Sequence, residues 1–261
     1  YMDPHDPYYP HPYDGTGYSR AAHQTPEAHE ADALRTLYDG EITYWDEHFG
    51  ALVADLKKRG VYDEMTIVVT ADHGEEFMDH GGFWHGTTLY DEQLHVPLLM
   101  KLPHNRSAST VVNHWVQSID IMPTLLEQAT IAVPEGVQGM GLFLDHDTAF
   151  AEESHEGNVL QALRMRRGAS ELKLITANEN NPRGLGATEL YRMDQDRREL
   201  VNLATELPAE LQIASAKLRT GASNAQKGAA RERTIDVGSD SEAQRKLQAL
   251  GYASDGEQPK P

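Results

Sequence analysis

The segment Thr66-Ile67-Val68-Val69-Thr70-Ala71-Asp72-His73-Gly74 most constrains what this chain can fold into. An uncharged run suited to a buried strand ends abruptly in a carboxylate, an imidazole and a glycine. Strands without polar alternation belong to sheets covered on both faces. In open α/β sheets, ligands gather beyond the carboxyl ends of the strands. Asp72 and His73 would there offer a hard oxygen and a borderline nitrogen to one cation. Glu75, Glu76, Asp79, His80, His85, Tyr90 and Asp91 follow, a density of titratable groups that packing does not explain.

The surrounding pattern supports an α/β class. Residues 1–24, rich in Pro, Tyr, His, Asp and Gly, read as an irregular loop. Thr25-Pro26-Glu27 reads as a helix start, with Thr25 as N-cap and Pro26 at the first helical position. Leu34, Leu37, Tyr38, Ile42, Trp45, Phe49, Leu52, Val53 and Leu56 then recur at helical spacing. Lys57, Lys58 and Arg59 suit the negative end of that helix, and Gly60 can close it. Gly40 and Gly50 within it predict close packing on a neighbour. Met65–Ala71, Val96–Lys101 and Val111–Trp115 read as strands, and Asp120–Gln128 as a short helix. Helix alternating with apolar strand predicts a mostly parallel central sheet flanked by helices.

The character changes near residue 150. Leu160–Arg166, Leu172–Thr176 and Glu189–Met193 read as short strands joined by polar turns, and Pro208–Leu218 as a final helix. Three regions are expected: 1–150 as part of an α/β core, 151–220 as a small antiparallel α+β subdomain, and 221–261 as a flexible tail in which Leu247–Tyr252 can dock back on the body.

Four side chains stand out as chemistry. Asp72 and His73 read as two ligands of one metal; the plain alternative is a turn-capping aspartate beside a packed histidine. His85, in the glycine-bearing stretch from His80 to Gly86, reads as a proton donor or anion contact. His80 is evenly divided between site and scaffold. His5 sits between two prolines that stiffen its backbone, as a substrate-contacting loop histidine would, or else lies in a loose chain end. In Tyr90-Asp91-Glu92-Gln93-Leu94-His95 the acids cap or orient the loop, and His95 reads as a partner for an acid rather than as a ligand. Arg164, Arg166 and Arg167 read as a solvated strand face rather than an anion site, and Tyr191 and Leu200 as packing for the small sheet.

Charge and composition narrow the partners. With 23 Lys+Arg against 41 Asp+Glu, the formal net charge is -18, which repels nucleic-acid phosphates. An anionic substrate needs a local cation against that field. No cysteine occurs among the 261 residues, so thiolate metal sites and disulfides are excluded in this chain. No apolar run approaches membrane-spanning length. The start at Tyr1, without an initiator Met or a signal-like segment, reads as a fragment lacking its natural N-terminus.

These motifs together resemble the sulfatase family of the alkaline phosphatase superfamily. The resemblance runs through Thr66–Gly74, His85-Gly86 with Leu89-Tyr90-Asp91, Val96-Pro97-Leu98-Leu99, Ser118-Ile119-Asp120-Ile121-Met122-Pro123-Thr124-Leu125-Leu126, Pro134 and Gly139. It continues in Leu172-Lys173-Leu174-Ile175, Glu189-Leu190-Tyr191 and Leu200-Val201-Asn202-Leu203, and so covers almost all of residues 1–220.

The resemblance implies an alkaline-phosphatase-like sandwich and a sulfuric ester hydrolase with one divalent cation, calcium first, with manganese or magnesium as alternatives. Asp72 and His73 match two metal ligands, His85 lies one position from an active-site lysine of relatives, and His5 matches a substrate-contacting histidine. Asp-His in place of the Asp-Asn of many relatives leaves a phosphonate monoester or phosphodiester hydrolase open. The family's Cys/Ser-x-Pro/Ala-x-Arg nucleophile motif does not occur in this sequence, nor does its N-terminal Asp pair. The nucleophile, formylglycine by resemblance, is therefore expected on an N-terminal part. Alone, the chain is expected to be inactive, to bind metal weakly and to expose a strand edge and apolar surface; a catalytically inert metal-binding module is the competing reading. The resemblance favours a small-molecule or glycan sulfate ester as partner, and a periplasmic or extracellular location.

Overall fold

The computed structural model describes residues 4–20, 25–155 and 157–228. The long helix α1 (Ala31–Lys58) is preceded by a 3-10 turn, Ala28–Glu30. Its start differs from the expectation at Thr25-Pro26. Glu27 and Glu30 form a reciprocal capping box instead, each side chain serving the other's backbone. Lys57 and Lys58 occupy the last turn, as their charge favours. Gly40 and Gly50 face open space, so they mark no close packing. Burial on α1 is confined to Ala31, Leu34 and Glu41, while Ile42 and Leu52 remain exposed.

Strand β1 (Ile67–Thr70) pairs with β4 (Leu98–Lys101), with Ile67 opposite Lys101 and Thr70 opposite Leu98. The pairing is antiparallel. The expected parallel order is not seen among the described residues, where every strand pairing runs antiparallel. No long crossover helix joins β1 to β4, and parallel neighbours require a long crossover. The connection instead holds a two-residue hairpin, β2 (Glu76–Phe77) and β3 (Phe83–Trp84), and the short helix α2 (Asp91–Leu94). Residues 111–115 form no strand: Val111 and Val112 are exposed, and β-branched propensity without burial does not make one. Helix α3 (Ile121–Gln128) follows a 3-10 turn at Ser118–Asp120.

The C-terminal layer is an antiparallel meander of β5 (Thr148–His155), β6 (Asn158–Arg167), β7 (Ser170–Ala177) and β8 (Thr188–Arg192). Strand β5 crosses the boundary expected at residue 150. The period-2 alternation of strands sorts its side chains cleanly. One face carries Leu163, Met165, Leu172, Leu174 and Leu190 against helix α4 (Pro208–Gly228), through Ala214 and Leu218. The other carries Leu160, Ala162, Ile175 and Tyr191 against Leu89 and Tyr90 of the β1–β4 connection. Tyr191 packs as expected, whereas Leu200 is exposed. Helix α4 runs through positions expected to be flexible, as far as Gly228; the rest of that tail, with Leu247–Tyr252, lies outside the described residues.

Candidate functional site

The site grows from the end of β1. Ile67, Val68 and Val69 are half-buried and Thr70 is exposed, and the chain emerges at Ala71-Asp72-His73-Gly74. Gly74 is needed there for space: its amide donates to the Gln93 carbonyl at 2.8 Å, and a Cβ would collide with the Glu92 carbonyl. This close approach folds the connection back so that His85 returns to His73. The two rings stack with centroids 4.0 Å apart, and His5 comes within 5.7 Å of His85. Four residues separated by up to eighty positions in sequence therefore share one place.

Each ring has a defined hydrogen bond. His73 Nδ1 donates to the Gly74 carbonyl at 2.8 Å, which leaves the Nε2 lone pair for a ligand. His5 Nδ1 donates to the Asp6 carbonyl at 2.7 Å. His85 Nδ1 lies 3.0 Å from Glu75 Oε1. The Asp72 side chain is 71% exposed, and Asp72 Oδ2 sits 3.8 Å from His73 Nε2. Asp72 Oδ1 accepts the His73 amide at 3.0 Å. A carboxylate and an imidazole nitrogen so placed fit two positions of a divalent cation's shell, with the backbone carbonyl fixing the tautomer. They do not complete it: among the described residues no group of three or more His, Asp or Glu is arranged to hold a metal ion.

His80 stands apart. Nδ1 faces Glu92 Oε1 at 2.7 Å, and Nε2 faces the Arg198 and Glu199 carbonyls at 3.0 and 3.3 Å. Acceptors on both sides require protons on both nitrogens. Burial opposes that charge, but Glu92 and the Glu199 carbonyl outweigh it and hold the pKa above the ordinary 6.5. His80, stacked on Tyr90 at 3.6 Å, is a scaffold cation. Asp91 and Glu92 serve as orienting acids, as their position in the loop predicts: Glu92 holds His80, and Asp91 pairs with Lys173 at 2.8 Å and Arg164 at 2.9 Å. Arg166 chelates Asp145 at 2.7 Å and, like Arg164, lies over Trp115, so these arginines form no anion site.

Two contributors escape sequence reasoning. Arg183, from the β7–β8 connection, makes a bidentate pair with the fully buried Glu76 at 2.6 and 3.0 Å, and also donates to the His80 carbonyl at 3.0 Å. Gly82 makes room for it, since a Cβ there would strike the guanidinium. Tyr8, wholly buried among Tyr38, Phe77 and Trp84, donates its hydroxyl to Glu75 Oε2 at 2.6 Å. Burial, and after it the Glu75 carboxylate, push the Tyr8 phenol well above its ordinary 10.0. Neither contact has a local signal; Tyr8 and Arg183 lie 67 and 107 positions from their acids.

A profile described as Sulfatase matches residues 1–131. Arylsulfatase K of Bos taurus is 27% identical over 208 residues, covering 73% of this chain and 37% of that protein. The chain thus spans little more than a third of that relative's length. Among solved structures, the phosphonate monoester hydrolase of Agrobacterium radiobacter superposes with a TM-score of 0.63 at 25% identity, over 81% of this chain and 45% of that one. A protein solved with its substrate D-glucosamine-2-N,6-O-disulfate gives 0.62 at 21% identity, over 76% of this chain and 42% of that one.

Proposed function

The chain belongs to the sulfatase family, and from that membership we propose that it supplies the metal-ligand and proton-donor side of a sulfuric ester hydrolase centre. The observation that carries this reading is the stacking of His73 on His85 beside Asp72, at the carboxyl end of β1. In this proposal Asp72 Oδ2 and His73 Nε2 hold two positions around one divalent cation, calcium by preference. When bound, such a cation supplies Lewis-acid polarisation of the ester oxygens. His85 donates the Nε2 proton to the leaving oxygen, and His5, next to it, contacts the anionic group. The nucleophile, a formylglycine in the same reading, comes from outside the 261 residues.

The substrate proposed is a sulfate monoester on a small molecule or glycan, a choice supported by the arylsulfatase K relatives and by the disulfated glucosamine of a structural neighbour. An exported location follows the same reading. No described helix is long and apolar enough to cross a membrane.

The test is turnover by the full-length polypeptide that carries this chain, with metal present, on an aryl sulfate, a phosphonate monoester and an aryl phosphate diester. Preference for the sulfate supports the proposal, and inactivity on all three defeats it. Preference for the phosphonate would favour the second reading, which rests on the likeness to the phosphonate monoester hydrolase. In the same protein His85→Ala is expected to lower kcat by at least ~100-fold; an unchanged rate would remove His85 from the chemistry.

A further inference from the structure

Glu75 has no task in the metal reading. It follows His73 by two positions and so resembles a third ligand in sequence, but its geometry says otherwise. Its side chain is only 6% exposed. Oε2 accepts the Tyr8 hydroxyl at 2.6 Å, and Oε1 faces His85 Nδ1 at 3.0 Å. Both oxygens therefore point at protein donors. Asp72, by contrast, is largely exposed, with Oδ2 3.8 Å from His73 Nε2.

We propose that Glu75 is the positioning residue of the site: it fixes His85 with a proton on Nδ1 and its Nε2 directed to the reacting group, and Tyr8 holds Glu75 in turn. Oε2 is taken by the Tyr8 hydroxyl, and Oε1 at 3.0 Å is placed to accept from Nδ1 of His85, so the nitrogen facing it carries hydrogen. A histidine that delivers a proton from Nε2 then ends as the Nδ1–H tautomer without rotating or rearranging its partner. One proton leaves Nε2, the Nδ1 proton stays, and Glu75 is unchanged. Tyr8 is suited to the outer role because it is wholly buried. Its phenol, held neutral by burial and by Glu75, remains a donor throughout. The relay joins the N-terminal loop to the β1–β4 connection across residues that no local motif links.

The proposal rests on the reading of His85 as the proton donor, and its test is independent of turnover. Nitrogen-15 imidazole spectra of the metal-free 261-residue chain, taken about two pH units above the ordinary histidine value, report which nitrogen of His85 is protonated. The expected result is the Nδ1–H form in the wild type and a shift toward Nε2–H in Glu75→Leu, which has no acceptor, with the remaining backbone spectrum retained. A wild-type His85 in the Nε2–H form overturns the proposal without a variant having to fold. So does a folded Glu75→Leu chain whose His85 tautomer is unchanged. In the full-length polypeptide, Glu75→Gln is expected to lower kcat about 10–100-fold with little change in KM. The Nδ1–H tautomer together with a fully active His85→Ala enzyme would instead sink the functional reading and leave the Glu75 contact standing.

Discussion

The C-terminal meander and the segment between β1 and β4 are held by opposite means. In the meander, Leu160, Leu174 and Leu190 are wholly buried, and strand alternation sends one set of side chains to α4 and the other toward the site segment. In the site segment, only the two-residue strands and one turn of α2 are regular. Phe77 and Phe83 pack with Tyr8 and Leu34, and Leu89 and Tyr90 pack on the meander, but its turns are tied by ions: Arg183 on Glu76, Lys173 between Asp91 and Glu199 at 2.8 and 2.7 Å, and Glu92 on His80. Lys173 lies on the meander face that looks toward the segment, and its ammonium is almost wholly buried. The apolar side chains of this segment pack on neighbouring elements and close no core of their own. Directional, desolvated pairs from the neighbouring layer fix the turns between them, at the cost that each pair depends on both members.

The largest effect that would break this contrast is Arg183→Ala. It strands the buried Glu76 carboxylate, which keeps only the His80 and Gly82 amides at 3.1 and 2.9 Å. The expected loss is about 3–5 kcal/mol by chemical denaturation. Amide exchange should accelerate first across residues 76–84, with β6 and β7 still protected. If the loss is below about 1 kcal/mol, the hairpin holds itself and the contrast is wrong. Leu174→Ala should show the converse, a loss of roughly 3 kcal/mol from the emptied site, with protection falling throughout the meander.

His80 sharpens the contrast in pH. Its folded pKa is raised above 6.5, so its pairing with Glu92 adds stability that is fully present below that value. The contribution is lost as pH rises through the raised folded value. Thermal melts across this window should show an alkaline fall in Tm, and His80→Gln should flatten it. An unaltered slope in that variant would show that the pair does not stabilise the fold.

The same division explains what the sequence made legible. Strands β6, β7 and β8 were readable because their apolar runs are covered on both faces, as in Leu172-Lys173-Leu174-Ile175, where all four residues are buried. Strand β5 was not, because Ala149-Phe150-Ala151-Glu152-Glu153 gives a weak pattern at the sheet edge. The candidates Asp72, His73, His85 and His5, singled out by residue type and setting, lie together in the structure. The tasks of Glu75 and Arg183 could not be read that way, since a pair's energy lies in its geometry and their partners are remote in sequence. The antiparallel return of β4 was equally hidden, because periodicity carries no strand direction.

The smallest effect concerns surfaces that neither means of closure reaches. Ile42 and Leu52 on α1, Leu99 on β4, and Ile119 and Met122 near α3 are all exposed. A scattered apolar side chain in water contributes little to folding, so Ile42→Lys should change the chain's stability by no more than about 0.5 kcal/mol. Exposed apolar area does favour association, however. Sedimentation of the chain at rising concentration should therefore show less self-association in the variant. A stability loss of about 2 kcal/mol would instead mean that Ile42 is covered in solution, and the boundary between the self-closed and the charge-held regions would have to be redrawn to include the outer face of α1.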